Sequence, residues 1–122
     1  MAIRGYEDLE VYQLGYQLAM MVHRKSQEMP ASERYELGRQ IRKAAISVPA
    51  NIAEGYGRKD SAKEFKHFLR NAMGSVNEVQ VYIDMMKDLG YVDGRAHEEL
   101  RSGYALLGKK LYHLIKSWNR DE

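Results

Sequence analysis

Apolar residues recur at helical spacing through most of the chain, and the clearest run lies at 37–56. Its apolar positions fall three or four residues apart, which is the spacing of one face of an α-helix. These positions are Leu37, Ile41, Ala44, Ala45, Val48 and Ile52. Pro49 lies inside the run, yet the apolar line continues in phase on both sides of it. We therefore predict one long helix over 37–56 that is kinked at Pro49 but not broken.

The same helix carries a second apolar stripe. At about 100° per residue, Ile46, Ala50 and Ala53 lie on the side opposite the first stripe. A surface helix of a monomer needs only one apolar stripe, which faces the core of its own domain. The second stripe therefore predicts an oligomer interface outside the bundle.

Three further amphipathic runs predict helices over 9–28, over 62–89 and from Asp93 to Trp118. Ser32, Ser61 and Asp93 stand where side-chain N-caps are expected, and Ser61 with Glu64 has the spacing of a capping box. Gly55 and Gly57 are expected to supply the C-terminal cap of the long helix. No segment alternates with period two for long enough to form a strand. The pattern predicts an all-α chain, an up-and-down antiparallel four-helix bundle in a single domain over 1–122.

The composition agrees with an ordinary globular domain. The chain has 122 residues, of which 44% are hydrophobic and 30% charged. It is long enough to bury a hydrophobic core without the support of disulfides or metal ions. It contains no cysteine, which excludes disulfides and thiol chemistry. The first ten residues have no apolar segment typical of a signal peptide, and no apolar run approaches the roughly 20 residues of a membrane span. These features predict a cytoplasmic protein.

Charge is distributed unevenly although the net charge is only +2. From Arg34 to Arg70 nine basic residues oppose four acidic ones, a local balance of +5. From Val76 to Glu99 six acidic residues oppose two basic ones, a balance of −4. This polarity fits an anionic partner, and it equally fits head-to-tail self-association.

The basic cluster is the one candidate site with a mechanism. Cations gathered on one surface neutralise phosphates and release counterions, which gives nucleic-acid binding without sequence preference. The candidate residues are Arg39, Arg42, Lys43, Arg58, Lys59, Lys63, Lys66 and Arg70. The alternative is a solvated helix face that Asp60 and Glu64 partly balance.

Catalytic and metal-binding patterns are nearly absent from the sequence. A carboxylate-bridged di-metal site needs two Glu-x-x-His motifs, and the chain has one, Glu64 to His67, whose histidine points away from the core stripe. Asn51 and Glu54 beside Pro49 are expected to satisfy backbone groups that the proline frees, rather than to act in acid–base chemistry. We predict no catalytic residue, no metal and no cofactor.

Several stretches resemble the four-helix-bundle protein family, also called ribosomal RNA intervening-sequence proteins because some are encoded within insertions in bacterial 23S rRNA genes. The stretches are 6–12, YEDLEVY, and above all 40–58, QIRKAAISVPANIAEGYGR. Glu64-Phe65, Phe68-Leu69, Gly74-Ser75, Glu78 and Leu89-Gly90-Tyr91 are similar to later motifs of that family. The resemblance covers nearly the whole chain.

The resemblance implies a fold shared with accessory proteins of diversity-generating retroelements. Those proteins form barrel-shaped homopentamers, bind nucleic acid and contact a reverse transcriptase. For this chain it implies self-association, with a pentamer favoured, and RNA or DNA and a reverse transcriptase as partners. No catalytic residues are established for the family, so none is carried over. The leading hypothesis is a non-enzymatic oligomer that binds RNA or DNA through phosphates, and the alternative is a protein-interaction scaffold or accessory subunit that does not bind nucleic acid.

Overall fold

All regular structure is helical in the computed structural model, which describes residues 2–118. A short 3₁₀ turn at Tyr6–Asp8 precedes five α-helices. They are α1 at Glu10–Ser26, α2 at Ala31–Tyr35, α3 at Leu37–Tyr56, α4 at Ala62–Asp88 and α5 at Gly94–Ser117. The prediction of an all-α chain with four long helices is confirmed, and the predicted bounds of α3 agree with the structure at both ends.

The four long helices form a square bundle in which α1 packs on α3, α3 on α4, α4 on α5, and α5 on α1. Ser47 Oγ shares a hydrogen bond with Ser75 Oγ, and further along α3 Gly55 lies against Phe68. Residue numbers therefore rise along α3 while they fall along α4, so these two helices are antiparallel. The predicted up-and-down four-helix bundle is confirmed.

α3 runs without interruption through Pro49 for 20 residues, and Pro49 is buried. α1 comes close to it at a glycine, because a β-carbon on Gly15 would lie 3.3 Å from Val48 Cγ1 and 3.7 Å from Pro49 Cδ. The unbroken helix confirms that the apolar phase was the better guide than the proline. The kink itself stays a prediction.

The expected role of the polar residues beside Pro49 is wrong. A proline at 49 frees the carbonyl four residues earlier, that of Ala45. Asn51 Nδ2 donates instead to the Ser47 carbonyl at 2.8 Å. The Glu54 carboxylate accepts from Arg58. Both side chains therefore form hydrogen bonds with other groups, and neither bonds to the Ala45 carbonyl.

The helix ends confirm two of the predicted N-caps. Ser61 Oγ accepts from the Glu64 backbone N–H at 3.2 Å, and an Asp93 carboxylate oxygen accepts from the Ala96 N–H at 2.8 Å. The Ser32 prediction is wrong, because Ser32 lies inside the short α2 and its carbonyl accepts from the Glu36 N–H. Five residues are too few to show a helical period, so the sequence pattern did not reveal α2.

The two glycines at the end of α3 have different roles. Gly57 caps the helix with φ −63°, an ordinary helical value, and within residues 2–118 the only positive φ belongs to Gly90. A β-carbon on Gly55 would lie 2.7 Å from Phe68 Cβ and 3.1 Å from Phe65 Cδ1. Gly55 therefore allows α4 to approach α3 closely. Gly57 occupies the C-cap position as predicted, whereas the predicted capping role of Gly55 is wrong.

Candidate nucleic-acid interface

Three of the predicted cations form one line on α4. Lys63 and Arg70 are exposed and Lys66 is half-buried. Asp84, fourteen residues after Arg70, pairs with His97 and Arg101 of α5. Because residues at multiples of seven share one side of a helix, Arg70 and Lys63 lie on the α5-facing side of α4. They stand clear of α3.

The register between α4 and α5 brings further residues to this line. The Phe65 and Trp118 rings meet at 4.6 Å between centroids, and His97 Nε2 lies 2.8 Å from Asp84 Oδ1. In two antiparallel helices, residues at the same level along the axis have residue numbers with a constant sum. These two pairs give 183 and 181. The same sum places Tyr112 level with Arg70 (182) and Lys116 level with Lys66 (182).

We call this region the α4–α5 surface, defined by Lys63, Lys66, Arg70, Lys109, Tyr112 and Lys116. Lys109 and Lys116 are exposed, and Tyr112 is 48% exposed between them in sequence. Lys116 Nζ lies 5.7 Å from the centroid of the Tyr112 ring. Sequence reasoning missed the three α5 residues because only the antiparallel register brings them beside α4.

The connection between α3 and α4 contributes less positive charge than its sequence suggests. Arg58 donates to Glu54 Oε2 at 3.0 Å and to Glu64 Oε1 at 3.2 Å, and its guanidinium lies 5.2 Å from the Phe68 ring centroid. The hydrogen bonds that Arg58 donates to Glu54 and then to Glu64 raise the pKa of Arg58. Lys59 Nζ lies 4.8 Å from the Tyr56 ring centroid. Two carboxylates thus offset the charge of Arg58.

Arg42 is part of the framework. It is half-buried, and its Nη1 donates to Ser26 Oγ at 2.9 Å while Nη2 donates to the Arg34 carbonyl at 3.2 Å. Ser26 is itself fully buried, and its hydroxyl donates to the His23 carbonyl at 2.8 Å. Arg42 therefore joins the end of α1 and the short α2 to α3.

Arg39 and Lys43 are exposed but lie elsewhere on the bundle. Lys43 precedes Ser47 by four residues, and Lys63 precedes Ser75, the partner of Ser47, by twelve. Since α3 and α4 are antiparallel, these sixteen residues place Lys43 and Lys63 about 24 Å apart along the bundle axis. The eight predicted residues therefore do not form one continuous surface.

Negative charge collects at the far end of the α4–α5 hairpin. Asp84 and Asp88 close α4, and Glu98 and Glu99 follow the start of α5. Asp84 pairs there with His97 and with Arg101, whose Nε lies 3.5 Å from Asp84 Oδ1. Arg70 lies fourteen residues before Asp84, or about 21 Å along α4. The predicted charge polarity thus runs along this hairpin.

Two apolar stripes face away from the core. The α3 stripe consists of Ile46, which is 59% exposed, the exposed Ala50 and the half-buried Ala53. The second stripe, which sequence reasoning missed, consists of Val81, Met85 and Leu89, all exposed and four residues apart. We call it the α4 stripe. Each lies on a different corner of the bundle.

Two further features of the described residues concern metal binding and unpaired buried groups. Within residues 2–118 no group of three histidine or acidic side chains could hold a metal ion. The Tyr104 hydroxyl is buried in the core without a hydrogen-bond partner in that range, and burial raises the pKa of Tyr104. No helix in the described part of the chain is both long and apolar enough to cross a bilayer.

Comparison with known proteins identifies the family. The family model described as 23S rRNA-intervening sequence protein matches residues 7–113. A crystal structure of a protein of unknown function from the S23 ribosomal protein family of Bacteroides thetaiotaomicron superposes with a TM-score of 0.78 at 21% identity. That match covers 88% of this chain and 99% of the other, and at this identity it supports the fold alone. No curated protein matches the chain. The chain belongs to the 23S rRNA-intervening sequence protein family.

Proposed function

We propose that the protein is a non-enzymatic, cytoplasmic, oligomeric four-helix bundle that binds RNA or DNA through phosphate contacts. The α4–α5 surface is the observation on which this proposal rests. The family description refers to ribosomal RNA and names no reaction. Arg39 and Lys43 would join the binding surface only where assembly brings copies together, because one subunit holds them far from Lys63.

The α4–α5 surface has the charge needed for such binding. None of its five cations forms an ion pair with another residue of 2–118, in contrast with Arg58. Lys63 and Arg70 are seven residues apart, as are Lys109 and Lys116, so each row extends about 10 Å along its helix. Five phosphate contacts correspond to a slope of log affinity against log salt of about −4.5 for a duplex and −3.5 for a single strand.

Charge reversal at three positions tests this proposal. We expect K63E/K66E/R70E to abolish binding of a labelled 20-nucleotide RNA at low salt, because each substitution replaces an attractive phosphate contact with repulsion. The control is R4E/R24E/R95E, which changes the net charge equally at three exposed positions away from the α4–α5 surface. Fluorescence anisotropy over a salt series measures both variants.

Equal loss of binding in both variants would show that only net charge matters. Absence of binding by the unmodified protein at micromolar concentration in low salt would end the proposal. Light scattering on the same samples checks that assembly is unchanged in K63E/K66E/R70E.

The two exposed apolar stripes favour a second candidate function, a scaffold that contacts only proteins. In that case the cations of the α4–α5 surface would meet an acidic surface, such as the Asp84 and Asp88 end of a neighbouring copy. K63E/K66E/R70E would then reduce the solution mass. Loss of assembly supports the scaffold, and loss of RNA binding with intact assembly supports the phosphate-binding function.

A further inference from the structure

We infer that the α4–α5 surface binds unpaired, single-stranded nucleic acid and that Tyr112 stacks on one of its bases, an inference that rests on the proposed function. The sequence contains nine tyrosines, most of which pack or pair within the bundle. Tyr112 differs because it is half exposed in the middle of a cationic surface. Its partners within the chain leave much of the ring open to solvent.

The backbone geometry places the ring where the rows of cations face each other. Tyr112 lies eleven residues after Arg101, which is about three helical turns, so it points to nearly the same side of α5. Arg101 reaches across to α4, where its Nη1 donates to Gln80 Oε1 and its Nε pairs with Asp84. Tyr112 is accordingly directed toward the α4 side, at the level of Arg70.

The residues around the ring suit a nucleotide. Lys109 and Lys116 lie three residues before and four residues after Tyr112, one helical turn to either side. The Lys116 ammonium lies over the ring, 5.7 Å from its centroid, so a base would stack on the opposite face with its phosphate near this charge. Aromatic rings set among cations are the arrangement that single-strand-binding proteins use, since every base offers a π-face.

A duplex would make little use of this arrangement. Its bases are already stacked on one another, so an exposed tyrosine meets only the sugar–phosphate backbone. Cations alone suffice for duplex binding, whereas the aromatic ring adds affinity only where a base is free to stack. The ring therefore selects unpaired strands, and the cations do not.

Substitution of Tyr112 separates the two contributions. We expect Y112A to weaken binding of a labelled 20-nucleotide polyuridine RNA about tenfold and to change binding of a 20-base-pair RNA duplex by less than twofold. Y112F keeps the ring and should bind like the unmodified protein. Y16A is the matched control, because Tyr16 is 52% exposed but lies on α1.

Each outcome either supports or overturns the inference. Equal effects of Y112A on single strands and duplex, or no effect on either, overturn base stacking. If K63E/K66E/R70E still abolishes binding in that case, the phosphate-binding function stands without it. A Y112A variant that loses solution mass by light scattering instead identifies Tyr112 as an assembly contact. A protein that binds neither RNA overturns both proposals together.

Discussion

The roles of single residues in this bundle depend on close contacts between helices. The spacing of residue types along the chain does not reveal these contacts. Gly55 and Gly57 both follow the pattern of a helix end, yet only Gly57 caps α3, and Gly55 lies inside the helix where Phe68 approaches it closely. Arg42 follows the pattern of a solvated cation, yet it binds the buried Ser26 hydroxyl. Both roles depend on which helix lies next to α3, and residue types alone do not supply that information.

Replacement of Gly55 by alanine tests the close approach of α3 and α4. The added β-carbon would lie 2.7 Å from Phe68 Cβ, an atom fixed to its backbone, so one helix must shift. We expect G55A to lower the free energy of unfolding by about 1–3 kcal/mol. In G74A the new carbon meets nothing within 4 Å, so helix propensity should raise the free energy by about 0.5–1 kcal/mol.

Urea unfolding followed by circular dichroism measures both glycine variants. The opposite signs make the comparison informative, since a general effect of alanine in helices would move both midpoints upward. An unchanged or raised midpoint in G55A would contradict the account of Gly55 as a packing glycine.

The buried hydroxyl of Tyr104 gives a second prediction at this scale. A buried polar group without a partner costs about 1–3 kcal/mol, so Y104F should leave the free energy of unfolding at pH 7 unchanged or raise it by about 1 kcal/mol. Burial raises the pKa of Tyr104, so the unfolded state releases this proton first as the pH passes 10. The native protein therefore loses stability above pH 10, and Y104F should lose about 1 kcal/mol less between pH 10 and 11.

Tyr35 provides the control for Tyr104, because it is 80% exposed and Y35F should change stability little at either pH. Urea titrations at pH 7, 10 and 11 give the required free energies. A clear destabilisation by Y104F at pH 7 would mean that the hydroxyl has a stabilising partner.

Whole helices were far easier to predict than the contacts between them. Apolar periodicity gave α3 its bounds and carried it through Pro49, because the burial of Ile41, Val48 and Ile52 depends on phase rather than on one missing hydrogen bond. The short α2 was not predicted because one and a half turns are too few to show a repeating pattern of apolar residues. The α5 half of the α4–α5 surface escaped for a different reason, since the pairing of α4 with α5 is a tertiary property.

The α3 stripe leads to a prediction at the scale of the element. Ile46 is 59% exposed in the subunit, so I46E should leave the helical content unchanged and the stability of the subunit within about 0.5 kcal/mol. A buried glutamate in an oligomer interface is costly, so the same variant should reduce the solution mass to that of a monomer. The A50E variant is expected to reduce the solution mass in the same way.

Light scattering and circular dichroism on I46E provide the two readouts. Q17E on α1, exposed and outside both stripes, serves as the control for an added negative charge. Unfolding of I46E would mean that Ile46 belongs to a core, and an unchanged mass would remove the α3 stripe from the oligomer interface.

At the scale of the whole molecule, charge and apolar surface follow different directions. Positive charge lies at the open end of the α4–α5 hairpin and negative charge at its turn, while the α3 and α4 stripes occupy two corners of the square. The net charge of +2 conceals this division. Uneven charge could be predicted from sequence because like charges cluster along the chain. Its alignment with one hairpin required the fold.

The separation of the α3 stripe from the α4 stripe has a geometric consequence. If the first stripe of one copy docks on the second stripe of the next, the two surfaces in contact are unlike, so a two-fold dimer leaves one of each uncovered. Further copies then add until the last copy docks on the first and closes the assembly. The angle between the two corners that carry the stripes would then determine the number of copies in a closed ring.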